Sequence, residues 1–166
     1  MKRDFNAGRK VLIELNKLRK RTFIIFGNGD WYRYPFEKWK RQKGYDEFIK
    51  RLRNLKNINY GVGKRDGVNF IGFGGYMDID SYLNKREWKE DDKKRYMAMV
   101  FRRANSKRRL FKNLRKTKGE RIFVFHYPPK GIFDIIRDKK DNPMNGKSAG
   151  IGFFREAIKK YRPRLV

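Results

Sequence analysis

Thr22-Phe23-Ile24-Ile25-Phe26-Gly27-Asn28-Gly29-Asp30 is the stretch on which the fold turns. Its first five residues are β-branched or aromatic and prefer a pleated, buried strand. The next four are turn formers, with Asn and Asp tolerating a left-handed backbone that other side chains resist. Upstream, Val11, Leu12, Leu15 and Leu18 recur at helical spacing between lysines and arginines. That spacing predicts an amphipathic helix from about Asn6 to Lys20, with Asn6 as its N-cap. A helix feeding a short apolar strand that stops at a Gly/Asn/Asp loop is half of an α/β unit.

Downstream, helical spacing returns between Pro35 and Leu55, in Phe36, Trp39, Phe48, Ile49, Leu52 and Leu55, with a break near Gly44. Asn57 to Val62 and Val68 to Phe73 read as two strands around a turn at residues 63–67. Gly72, Gly74 and Gly75 mark a chain that bends sharply or passes close to another segment. They lack the spacing and the following helix of a dinucleotide-binding loop. Residues 82–117 are densely charged, with apolar positions such as Leu110, Phe111 and Leu114 that predict a helix or helix pair docked on one face. A strand is expected over Arg121 to Phe125, a loop over 130–149, a helix from about Gly152 to Tyr161, and a further strand opening at Arg164-Leu165-Val166.

Two positions place metal or phosphate chemistry directly after a strand: Asn28 with Asp30, and His126. Loops beyond the carboxyl ends of strands are where α/β sheets gather ligand-binding groups. Imidazole is a good ligand for Zn, Mn or Fe, and amide or carboxylate oxygen suits harder ions. Taken singly, a lone histidine after a strand is more often a structural hydrogen-bonded residue, and Gly-Asn-Gly-Asp is more often just a turn. His126 is the single histidine, which excludes an all-histidine site.

The order of these segments is more specific than any one of them. Strand–Gly-Asn-x-Asp, two strands ending in Gly72-Phe73-Gly74-Gly75, strand–His126-Tyr127-Pro128-Pro129, then Asn145-Gly146-Lys147-Ser148 and Phe154-Arg155-Glu156-Ala157-Ile158 leading to Pro163 resembles the calcineurin-like metallophosphoesterase family. The resemblance is collinear over most of the chain and weakest in the charged stretch at about 76–117. It implies an α/β fold of metallophosphoesterase type, a β-sandwich flanked by helices, incomplete at both ends. It implies one truncated domain over residues 1–166 with a charged helical insert at about 76–117. It also implies Asn28 and His126 as metal ligands, Asp30 as a supporting residue, and Gly27 as the point of close backbone approach. The implied cofactors are divalent ions such as Mn, Zn or Fe, two in a complete site. The implied activity is hydrolysis of phosphate mono- or diesters.

The sequence also departs from the family pattern. The motif histidine that assists the leaving group is Gly29 here. No Asp-x-His or Gly-Asp segment stands ahead of the first helix, and the Gly-His-x-His expected directly after Val166 is not among these 166 residues. A second chain supplying them is one partner this reading expects.

Charge frames the rest. Lys and Arg number 45 against 18 Asp and Glu, a formal net charge of +27. That balance favours polyanions, with non-specific nucleic-acid binding the first expectation and a basic nucleic-acid-binding protein without catalysis the rival function. Trp31-Tyr32-Arg33-Tyr34 reads as loop packing before base stacking, and Arg102-Arg103 through Arg109 as a solvated helix face before a phosphate site. At 39% hydrophobic and 16% aromatic the chain can bury a core. No run approaches the ~20 apolar residues that cross a bilayer, and no apolar run follows the basic start, so neither a membrane nor a secretory leader is expected. With no cysteine, disulfides and thiolate-bound zinc are excluded, and a cytoplasmic protein is the expectation.

Overall fold

The computed structural model describes residues 5–27, 47–74, 105–137 and 145–166. Within them the chain is mixed α/β. Helix α1 (Phe5–Lys17) leads into β1 (Thr22–Ile24), helical residues 47–50 (α2) into β2 (Leu55–Asn57), and a hairpin follows of β3 (Gly61–Arg65) and β4 (Val68–Phe73). Helix α3 at residues 105–116, β5 (Arg121–Phe125) and α4 (Gly152–Tyr161) complete the described order. Two small open sheets result: β1 paired parallel with β2, and β3-β4-β5 with β4 antiparallel to β3 and parallel to β5.

Alternation along β4 and β5 decides what each sheet face meets. Ile71 and Phe73 pair with Phe123 and Phe125, so all four side chains share one face. There they join Leu110, Phe111 and Leu114 of α3 and Phe153, Phe154 and Ala157 of α4 in the main core. Phe154 is fully buried, stacked on Phe125 at 4.0 Å and edge-on to Phe73 at 5.2 Å. Burying a ring of this size contributes about 1.5–3 kcal/mol.

The opposite face, with Phe70 and Gly72, meets the small sheet. Phe23 of β1 lies 4.9 Å from Phe70 and covers Gly63, where a Cβ would come within 2.7 Å of its ring. A Cβ on Gly72 would stand 2.3 Å from the Ile58 carbonyl oxygen. The two sheets approach this closely only because no side chain stands at those positions. The far side of the small sheet is closed by a second cluster, in which Phe26, Ile49 and Leu55 meet Leu12 and Leu15 of α1. Asn16 and Asn54 fasten α1 to the start of β2: the Asn54 N–H donates to Asn16 Oδ1 at 2.9 Å, and Asn54 Nδ2 to the Asn16 carbonyl at 2.8 Å.

Several boundaries differ from the sequence expectation, each for a physical reason. The helix begins at Phe5, which puts Asn6 inside it rather than at its cap. Leu12 and Leu15 face the core, whereas Val11 and Leu18 are about 60% exposed, at 59% and 62%. Leu55 belongs to β2, not to a helix, because its stretch pairs with Thr22 across the small sheet. The hairpin turn is Asp66-Gly67 alone, both with positive φ (49° and 77°), the backbone twist that a two-residue hairpin requires. The docked helix face expected at Leu110, Phe111 and Leu114 is found in α3, where all three are buried. Beyond α4, the Arg164 N–H donates to the Arg121 carbonyl and Leu165 bridges Ile122 in parallel, as the expected strand opening requires. Phe36, Trp39 and Gly75 lie outside the described residues.

Candidate functional site

The carboxyl ends of β1, β4 and β5 and the turn after β2 converge. The His126 N–H donates to the Phe73 carbonyl at 3.2 Å, which continues the pairing with β4 one residue past the end of β5. Just before it, Phe125 is held between Phe123 and Phe154, so the backbone that presents the imidazole rests on the main core. The imidazole itself is exposed and lies against Gly27, three residues past β1. A Cβ on Gly27 would stand 2.7 Å from Cε1, 3.0 Å from Nδ1 and 3.2 Å from Nε2. Tyr127 closes one side, its ring edge-on to the imidazole at 5.0 Å.

Asn59 ties the convergence together and was not singled out from sequence. Its Oδ1 accepts the Gly74 N–H at 2.8 Å, and its own N–H donates to Asn57 Oδ1 at 2.8 Å. The Phe26 carbonyl presses so close to Gly74 that a Cβ there would stand 2.0 Å from it. Asn59 Nδ2 is buried and has no hydrogen-bond partner among the described residues. An orphaned buried donor costs about 1–3 kcal/mol and calls for a reason. The sequence signal was faint: an Asn-Ile-Asn-Tyr turn reads only as punctuation between strands.

The described parts of the connection from His126 to α4, residues 126–137 and 145–151, are held together around Asp134. This carboxylate is buried and accepts from the Ser148 hydroxyl and from backbone N–H groups including Gly131. The Gly131 N–H, then the Ser148 hydroxyl, hold it below the ordinary carboxylate range, against the opposing effect of burial. Bridges Pro129–Ile151 and Ile135–Ser148 close the loop. Thus Ser148 of the Asn-Gly-Lys-Ser segment is a loop-ordering residue here, and Asp134, unnoticed in sequence, is its partner.

Of the expected site residues, His126 and Gly27 come together. Asn28, Gly29 and Asp30 lie outside the described residues, as do Trp31 to Tyr34. Of the basic run, Lys107 pairs with Glu156 at 2.7 Å and Arg109 covers the Tyr60 ring at 5.0 Å, the behaviour of a helix face docked on its own protein. Among the described residues no group of three or more His, Cys, Asp or Glu gathers in metal-binding proximity. The donor that fits a divalent ion is the His126 imidazole, over a cradle that a side chain at residue 27 would fill. Among the described residues no helix is long and apolar enough to cross a membrane.

No family model and no curated protein matches the chain. A solved crystal structure superimposes on 93% of it with a TM-score of 0.50 at 20% identity. The chain spans 52% of that structure's length, about half. At this identity the likeness shows the fold alone: a mixed α/β arrangement of open sheets with flanking helices.

Proposed function

We propose that this chain is part of a metal-dependent phosphoesterase of the calcineurin-like type, which hydrolyses phosphate mono- or diesters in its complete form. In this reading the two stacked sheets belong to the family's β-sandwich. The observation that carries it is the meeting of His126 with Gly27, which brings the ends of two separate strand–loop motifs to one point. His126 would hold a divalent ion through a ring nitrogen and Asn28 through its amide oxygen, with Asp30 supporting. Such ions, when bound, orient a phosphate, neutralise its developing charge and acidify water. The chain's own part is positional. Phe125 fixes the backbone of His126, Gly27 leaves room for the ring, and the Asn59–Gly74 hydrogen bond sets the spacing of the surrounding turns. Gly29 offers no imidazole to the leaving group, so turnover is expected to be slower than with a histidine there.

The test is Mn- and Zn-dependent hydrolysis of an aryl phosphate and its diester, comparing the chain with His126→Ala. Loss of a metal ligand should exceed the roughly 10–100-fold cost of losing a ligand's outer-shell partner. Because His126 is exposed, the variant should keep the wild-type thermal midpoint. Absence of turnover with either metal would end the catalytic reading for this polypeptide. A basic nucleic-acid-binding protein without catalysis is then the remaining reading, favoured by the net charge of +27.

A further inference from the structure

A second concavity lies at the other end of the strands from His126. Its walls include Arg21 before β1, Lys50 of α2, Arg53 and Lys56 around the start of β2, and Lys64 of β3, with Phe23 as an apolar wall. Arg21 and Arg53 flank the amino ends of β1 and β2, and Lys64 pairs with Asn69 near the amino end of β4. His126 stands at the carboxyl ends. The cavity measures about 320 Å³.

What sets this place apart on so basic a molecule is the absence of any balancing charge. Among the described residues no carboxylate lines the concavity, and none of its five cations is in an ion pair. Elsewhere the carboxylates are engaged: Glu14 with Lys17, Asp66 with Arg65, Glu120 with Arg164, Glu156 with Lys107. The frame is also fixed. Asn54 is doubly bonded to Asn16, and the Arg65 guanidinium bonds the Arg21 carbonyl at 3.2 Å, tying the hairpin to the start of β1. Like charges held around a concavity with low-dielectric walls focus a positive potential into it, and that potential selects an anion.

We propose that this cleft binds the phosphate backbone of a single nucleic-acid strand, independently of the His126 site. A groove of cations that follows the backbone, with an apolar wall beside it, is how single strands are held without sequence preference. A cavity of about 320 Å³ is the size of a small-ligand pocket, which suits a short stretch of one backbone rather than a whole duplex.

The experiment uses the whole chain and a fluorescein-labelled oligothymidylate, with affinity followed by anisotropy over a range of NaCl concentrations. The cleft variant is Lys50→Gln with Arg53→Gln and Lys56→Gln. A control of equal charge, Arg108→Gln with Lys112→Gln and Arg115→Gln, sits on the exposed face of α3. Each lost phosphate contact on a single strand lowers the slope of log K against log salt by about 0.7, so the cleft variant should lose about 2 from that slope. Its affinity near physiological salt should fall at least about tenfold, while the control stays within about threefold. His126→Ala should bind as wild type does. Equal losses in the two triple variants would overturn the proposal in favour of binding by net charge alone. Undiminished binding by the cleft variant, or a duplex of equal length binding as tightly as the strand, would also overturn it.

Discussion

Gly72 and Gly61 face each other across the β3–β4 ladder, where they pair directly, yet alanine should affect them oppositely. At Gly72 the new methyl meets the Ile58 carbonyl oxygen at 2.3 Å and Ile58 Cγ1 at 2.7 Å, and the backbone partner cannot move without parting the sheets. Overpacking of this kind costs about 1–3 kcal/mol, so Gly72→Ala should lower the urea midpoint clearly. At Gly61 the nearest atom is 3.5 Å away, an ordinary contact. Gly61→Ala should be neutral or stabilising by about 0.4–1 kcal/mol, because alanine restricts the unfolded chain. Equal effects at the two positions would mean that the sheets are not stacked through Gly72. The sequence marked Gly72 as a point of close approach; which atom approaches is set by Ile58, from another strand connection, and no local pattern names it.

The loop between β5 and α4 behaves as an element with its own pH response. Asp134 has a folded pKa below its ordinary 3.8, caused first by the Gly131 N–H and then by the Ser148 hydroxyl. A carboxyl depressed on folding adds stability that is complete above its unfolded pKa and is lost as pH falls through the folded one. Asp134→Asn should therefore be less stable than wild type at neutral pH, with the gap closing below pH 3.8. Urea unfolding of both proteins at several pH values checks this; a gap unchanged well below that pH would contradict it. At this scale the sequence is legible where an element is locally consistent. β5 and α4 occupy the residues that periodicity and turn signals indicate. It is ambiguous at Leu55, where i, i+3 spacing fits both a helix end and a strand beginning, and pairing with β1 decides.

For the whole molecule, a net charge of +27 on 166 residues makes self-repulsion a standing cost of the compact state. Among the described residues the ion pairs are between exposed side chains, each worth little. Raising NaCl from low to physiological concentration shortens the Debye length to about 8 Å and should raise the thermal midpoint. For a chain of this size each kcal/mol gained corresponds to about 2–4 °C. A midpoint that falls with salt in calorimetry would show that attractive pairs outweigh the repulsion.

By itself the sequence determined the local elements: the strand opening at Thr22, the strands at Val68–Phe73 and Arg121–Phe125, and the helix at Gly152–Tyr161. These depend on neighbours within a few residues, where propensity and periodicity act. It also placed Gly27 and His126 each at the end of a strand. Only the tertiary structure decided that these two ends meet, that Asn59 joins them through Gly74, and that Arg21, Lys50, Arg53, Lys56 and Lys64 enclose one cleft. Those contacts follow from strand order and sheet stacking, which are fixed by side chains far apart in the chain and leave no periodic trace along it.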